Sequence, residues 1–213
     1  MLQVTCEVIY KRDAYRLGQL TFSGPRKSVK LSVVAVFAAL IALGTFLSIP
    51  VPQPLYEITW APAIYLALAV LSDRWTAFSA TAVGGFIGEA MNVAYKGGSP
   101  IYPLGMVWAR APEVLIVAWA ARKGNKWLAF SMVIATVFET LAFFFPDWLF
   151  YTYGLFSYGS SESVGAGLAA ALPDLGTMVD VAFIPVAFGI IYAARPAFER
   201  LGFRTNLQEP KQA

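Results

Sequence analysis

Long apolar runs constrain the fold of this 213-residue chain more than any motif it carries. A bilayer core about 30 Å thick takes about 20 apolar residues to cross as a helix. Inside lipid every backbone polar group must be bonded internally, so only helices and closed barrels span it. The runs here are continuous rather than alternating, which argues against a barrel. Composition agrees: 58% of residues are hydrophobic and 14% charged, against about 45–50% and about 25% in a soluble domain. The sequence therefore predicts an all-α integral membrane protein, a six-transmembrane-helix bundle.

The spans fall at about 31–49, 58–71, 75–95, 101–121, 127–146 and 173–194. The first is stopped by the prolines of "IPVPQP" and the last near Pro196. The second is short, since ~14 residues reach only ~21 Å. This divides the chain into a basic cytoplasmic N-terminal extension (1–30), a transmembrane domain (31–195) and a cytoplasmic tail (196–213). No secretory signal is expected, because the first apolar run starts only at Leu31 and lacks a small-residue cleavage site.

Sidedness follows from the basic residues. Of sixteen Lys and Arg, all but Lys96 and Arg110 fall before the first span, after the last, or in the tight turns "SDRW" and "RKGNK". The positive-inside rule then puts both termini in the cytoplasm of a plasma-membrane protein. The opposite connections, "PVPQPLYEITW", "YKGGSPIYP" and "PDWLFYTYGLFSYGSSESVGAG", are longer and rich in aromatics, Pro and Gly. Such loops serve either as binding segments or as plain connections carrying an interfacial aromatic belt.

Several chemistries are excluded. The one cysteine, Cys6, allows no internal disulfide, and the absence of histidine removes His-based metal ligation and general-base catalysis. No metal or cofactor is expected. No nucleophile–base pair stands out, so the chain is not expected to be an enzyme, and nothing in it points to a nucleic-acid partner.

Ionisable residues inside apolar runs are functional candidates by default, because each costs roughly 2.5–3.5 kcal/mol at a helix centre. Glu89, Arg110, Glu113, Glu139, Asp174 and Asp180 are of this kind. Counting at 1.5 Å per residue places Glu89, Arg110, Glu139 and Asp180 ~9–14 Å below the outer ends of four different spans. A shared pocket open to the outside accounts for that coincidence; a purely structural ion-pair cluster is the alternative. Glu113 follows Arg110 at i+3, a spacing that allows the two to pair. Asn92 shares a face with Glu89 by the same spacing. Glu57, Trp60, Tyr102 and Trp148 lie at the same outer level and complete the candidate binding set, though each aromatic could equally be an interfacial anchor.

Two small-residue patterns allow close helix approach. The third span carries Gly84-x3-Gly88 with Gly85 beside it; the first carries Ala35-x3-Ala39 and, overlapping, Ala38-x3-Ala42. Each fits either packing within the bundle or a contact with another subunit.

The first span "VAVFAALIALGTFLSIPVP" and the segment "APAIYLALAVLSDRWTAFSATAVGGFIGEAMN" resemble the substrate-binding S component of energy-coupling-factor (ECF) vitamin transporters. The resemblance runs over about residues 31–195. It implies a subunit that captures a small water-soluble vitamin or precursor in an outward pocket and works with a membrane scaffold subunit and two ATPase subunits. It also implies that Ala35, Ala38, Ala39 and Ala42 form the coupling face toward the scaffold. The basic extension departs from the family pattern, and the lack of histidine argues against its nickel and cobalt members. No GxxxxGK[ST] loop is present, so ATP hydrolysis would reside in separate chains. A proton-coupled secondary transporter and a non-transporting membrane scaffold are the competing readings.

Overall fold

A computed structural model describes residues 24–50, 57–121, 125–155 and 163–203. The 1–30 extension up to residue 23, the tail from 204, and parts of the predicted loops lie outside the described residues. Helix occupies each of the six apolar stretches. Helix α1 (Lys27–Phe46) leads to a two-residue antiparallel ladder, β1 (Ile49–Pro50) with β2 (Glu57–Ile58), pairing Ile49 with Ile58. Helices α2 (Ala61–Leu71) and α3 (Arg74–Lys96) follow. A rod then runs through α4 (Tyr102–Gly105), a π-helical turn (Met106–Arg110) and α5 (Ala111–Ala120). Next come α6 (Asn125–Tyr153) and a last rod of α7 (Val164–Ala171), a 3₁₀ segment (Leu172–Phe183) and α8 (Ile184–Arg200).

Three of these rods, Lys27–Phe46, Trp127–Tyr153 and Val164–Arg200, are long and apolar enough to cross a membrane. Large side chains such as Leu31, Val36, Leu40, Phe130 and Tyr192 stand exposed along them, as lipid-facing surfaces require. Helix α2 is shorter than the span expected for it, and the reason is its position. Every residue from Tyr65 to Leu71 is fully buried, so protein rather than lipid surrounds it; a helix apolar on all sides belongs in the interior. Its Pro62 sits in the first turn, where no backbone N–H is needed. Around α2 pack α1, α5 and α8, and α1 makes its most extensive contact with α3.

Two boundaries differ from the sequence expectation. Helix α6 does not stop at Pro146 but runs through it to Tyr153. Proline withdraws one N–H from the carbonyl four residues earlier, here Ala142, and the Trp108 indole donates to that carbonyl at 3.2 Å. With the orphan satisfied, the helix continues. The last rod begins at Val164 rather than 173, capped by the Ser163 hydroxyl, which accepts from the Ala166 amide at 3.2 Å. The connection between these rods is correspondingly shorter than "PDWLFYTYGLFSYGSSESVGAG" suggested.

At the end of the bundle where α2 meets α3, Asp73 caps α3. Its carboxylate accepts from the Thr76 amide (3.2 Å) and hydroxyl (2.7 Å) and pairs with Lys30 of α1 at 3.1 Å. Partial burial pushes this carboxyl up, but the hydrogen bonds from Thr76 and Lys30 outweigh it and hold Asp73 below the usual carboxylate range.

Candidate ligand cavity

The α1–α3 contact sets the site's first wall. Gly84 and Gly88 face α1 so closely that an added Cβ would lie 2.5 Å from the Ala38 carbonyl oxygen and 2.7 Å from that of Ala42. The two small-residue patterns therefore meet each other. Ala38 and Ala42 are buried in this contact, which corrects the expectation that all four alanines form one outward face; Ala35 and Ala39 remain exposed. Gly85 points elsewhere, toward Met106 of the π turn, at 3.0 Å. One turn beyond Gly88, the Asn92 amide donates to the Thr45 carbonyl (3.3 Å) and to the Glu89 carboxylate (3.1 Å).

The second wall is the π turn. Pro112 cannot donate to the carbonyl of Trp108, and an inserted residue is one way a helix absorbs that loss. The bulge ends on Arg110, which is buried. Arg110 Nε donates to Glu139 of α6 at 2.5 Å, and Nη2 lies 3.8 Å from Asp180 of the 3₁₀ segment. Tyr65 of α2 donates to the other Glu139 oxygen at 3.3 Å. Arg110 and Glu113 do not pair: Arg110 is taken by Glu139 and Asp180, and Glu113 lies in the core, accepting from Thr136 at 3.4 Å.

The third wall is the 3₁₀ segment. Twelve residues is long for this conformation, which seldom exceeds three or four. Its three-residue turn places Asp174, Thr177 and Asp180 one above another, and all three line the cavity. The Thr177 hydroxyl donates to the Asp174 carbonyl at 2.9 Å and lies 2.8 Å from the Thr140 hydroxyl of α6.

Between these walls is a cavity of about 590 Å³, within the roughly 300–1,000 Å³ usual for small-molecule sites. Glu89, Asn92, Tyr102, Arg110 and Asp180 line it. Glu139 does not; it lies fully buried beneath Arg110 and holds it. Trp60 packs edge-on against Phe183, with ring centroids 5.5 Å apart, and the Trp148 indole donates to the Val164 carbonyl at 3.1 Å. Neither reaches the cavity wall. The Glu57 side chain lies outside the described residues. Sequence reasoning left Thr59, Lys96, Met106, Phe143, Tyr151, Asp174 and Thr177 out of the binding set, and all seven line the cavity. A three-residue period of polar groups between Pro173 and Pro185 was the available signal for Asp174 and Thr177.

Eight buried side-chain atoms among the described residues lack a hydrogen-bond partner, and five of them belong to cavity residues: Thr59 Oγ1, Asn92 Oδ1, Arg110 Nη1, Asp174 Oδ2 and Asp180 Oδ2. Unsatisfied buried polar atoms are costly and scarce. The atoms themselves have almost no accessible surface, so they lie behind the cavity wall rather than on it.

Fold and cavity together define a helical, apolar bundle with an internal cavity of small-molecule size. No family model matches the chain, and no curated protein matches it. Among solved structures, the S component of a bacterial ECF transporter has the same fold, with a TM-score of 0.57 at 16% identity. The match covers 83% of this chain and 99% of that one.

Proposed function

We propose that this chain is the substrate-binding subunit of an ATP-driven ECF importer, capturing a small water-soluble vitamin or precursor. The carrying observation is a cavity of about 590 Å³ inside an apolar helical bundle, lined by the polar side chains of Glu89, Asn92, Arg110, Thr177 and Asp180. A scaffold or purely structural bundle has no use for such a cavity, whereas a binding subunit needs it for its ligand. The shared fold supports the same reading.

The cavity lies where α3 ends and α4 begins, whereas Arg74 starts α3 at its opposite end. With the basic side cytoplasmic, six spans leave both termini inside and the cavity opens outward. Helix α1 offers Ala35 and Ala39 as the exposed part of its alanine face for a scaffold subunit. Energy comes from ATPase subunits on separate chains, and the chain itself catalyses nothing.

The test is binding and assembly. Purified protein is expected to show a ligand-induced rise in unfolding temperature with one member of a water-soluble vitamin panel, lost in Glu89→Gln. It is expected to co-purify with an ECF scaffold and its ATPases. Absence of both results defeats the proposal.

A further inference from the structure

A second site lies at the other end of α3. That helix has 23 residues, about 35 Å at 1.5 Å per residue, so its ends reach the two surfaces of a ~30 Å bilayer core. Lys96 and the large cavity are at one end, and Arg74 opens the helix at the other. There Arg74 and Trp75 of α3, with Leu115, Ala118 and Trp119 of α5, line a groove of about 220 Å³. It is smaller than the roughly 300–1,000 Å³ of a pocket that swallows a whole small molecule. Its walls face outward, with Trp75 58% and Trp119 62% exposed.

Tryptophans at this depth commonly serve as interfacial anchors, and the exposed Trp127 at the start of α6 needs no other role. The groove differs from such a belt in two respects. First, its indoles come from different helices. Leu115, Ala118 and Trp119 share one face of α5 at i, i+3 and i+4, and the short Ala118 side chain leaves space that a larger one would fill. Second, Arg74 is the single charged residue lining it. The guanidinium lies 5.3 Å from the Trp75 ring centroid. Among the described residues it pairs with no carboxylate, because the adjacent Asp73 is committed to Thr76 and Lys30. Asp73 also caps α3, so the anion-binding group here is the guanidinium and not the amides of the helix end.

Arginine presents a planar fork of donors that matches phosphate. An apolar hollow beside it asks for hydrocarbon. One molecule that carries both, and that surrounds any membrane protein, is a phospholipid, and basic pockets between transmembrane helices hold anionic headgroups. A zwitterionic lipid has the same phosphate but brings its own cation, which competes with Arg74 for it.

We propose that the groove between α3 and α5 binds one anionic glycerophospholipid, with its phosphate on Arg74 and an acyl chain along Leu115, Ala118 and Trp119. This site is separate from the large cavity and does not depend on what that cavity takes.

Native mass spectrometry of the full chain in detergent tests this. The probes are dioleoyl phosphatidylglycerol, dioleoyl phosphatidylcholine, and glycerol phosphate as a headgroup without chains. Phosphatidylglycerol is expected to bind about fivefold more tightly than phosphatidylcholine, the factor that one basic residue contributes at a membrane surface. Arg74→Gln is expected to abolish that preference. Arg200→Gln is the control, since Arg200 is exposed but lies outside the groove, and it should keep the preference. Trp119→Ala removes a wall and should weaken both lipids. Equal affinity for the two lipids overturns the proposal. So does a preference that survives Arg74→Gln, or one that falls as far in Arg200→Gln, which would reflect the charge of the whole surface. Unchanged lipid binding in Trp119→Ala also overturns it. Glycerol phosphate displacing phosphatidylglycerol at equal concentration would assign the groove to a soluble phosphate and defeat the lipid.

Discussion

Gly84→Ala tests the packing that positions the cavity wall. The new Cβ would fall 2.5 Å from the Ala38 carbonyl oxygen and 2.9 Å from both Ala38 Cα and Ile41 Cβ. Two of these neighbours are backbone, so no rotamer change relieves the clash. The helices must separate by about 0.9 Å (2.5 Å against an ordinary 3.4 Å). Overpacking of this kind costs about 1–3 kcal/mol, and alanine returns about 0.5–1 kcal/mol of helix propensity. The net expectation is a loss of about 1–2 kcal/mol, or roughly 2–8 °C in unfolding midpoint for a chain of this size. The bond from Asn92 to the Thr45 carbonyl is already 3.3 Å long, so the same separation breaks it and weakens ligand binding. Gly189→Ala is the control, since nothing lies within 4 Å of its added Cβ. Thermal unfolding in detergent reads both variants. A Gly84→Ala protein as stable as the parent would refute the close α1–α3 approach.

Other expectations follow from single contacts. Trp108→Phe strips the donor from the Ala142 carbonyl and should cost about 1–3 kcal/mol; adding Pro146→Ala restores a backbone donor, so the double variant should recover most of the loss in the same unfolding assay. Asp73→Ala should cost about 1 kcal/mol at neutral pH through the lost cap. Because the folded Asp73 carboxyl sits below its ordinary value, its contribution is fully present above the unfolded value of about 3.9 and is lost as pH falls through the lower folded one. The gap between parent and variant should therefore close in acid, as unfolding midpoints against pH would show. Ala35→Leu with Ala39→Leu, on the exposed face, should leave monomer stability unchanged and abolish co-purification with the scaffold, whereas Ala38→Leu should destabilise the monomer itself.

Much of the site was legible because charge inside apolar sequence is expensive. Glu89, Arg110 and Asp180 stand out on that ground alone, and all three line the cavity. What the sequence hid lies where the backbone leaves the α-helical period. Counting at i+3 paired Arg110 with Glu113, but Arg110, at the end of the π turn, pairs across helices with Glu139. The same counting missed the Asp174, Thr177 and Asp180 column, which exists only at three residues per turn. The expected fifth span ends at residue 146, but the helix runs on through Pro146, where the Trp108 indole satisfies the freed carbonyl. Alanine spacing alone could not say which residues of α1 face inward; the facing glycines decide it, taking Ala38 and Ala42 and leaving Ala35 and Ala39.

Uptake into proteoliposomes tests the central claim most directly. A radiolabelled vitamin identified by the binding panel is expected to accumulate only when this chain is reconstituted with an ECF scaffold, both ATPase subunits and ATP. Accumulation by the chain alone, driven by a proton gradient and needing no ATP, would contradict the account and establish a secondary transporter instead.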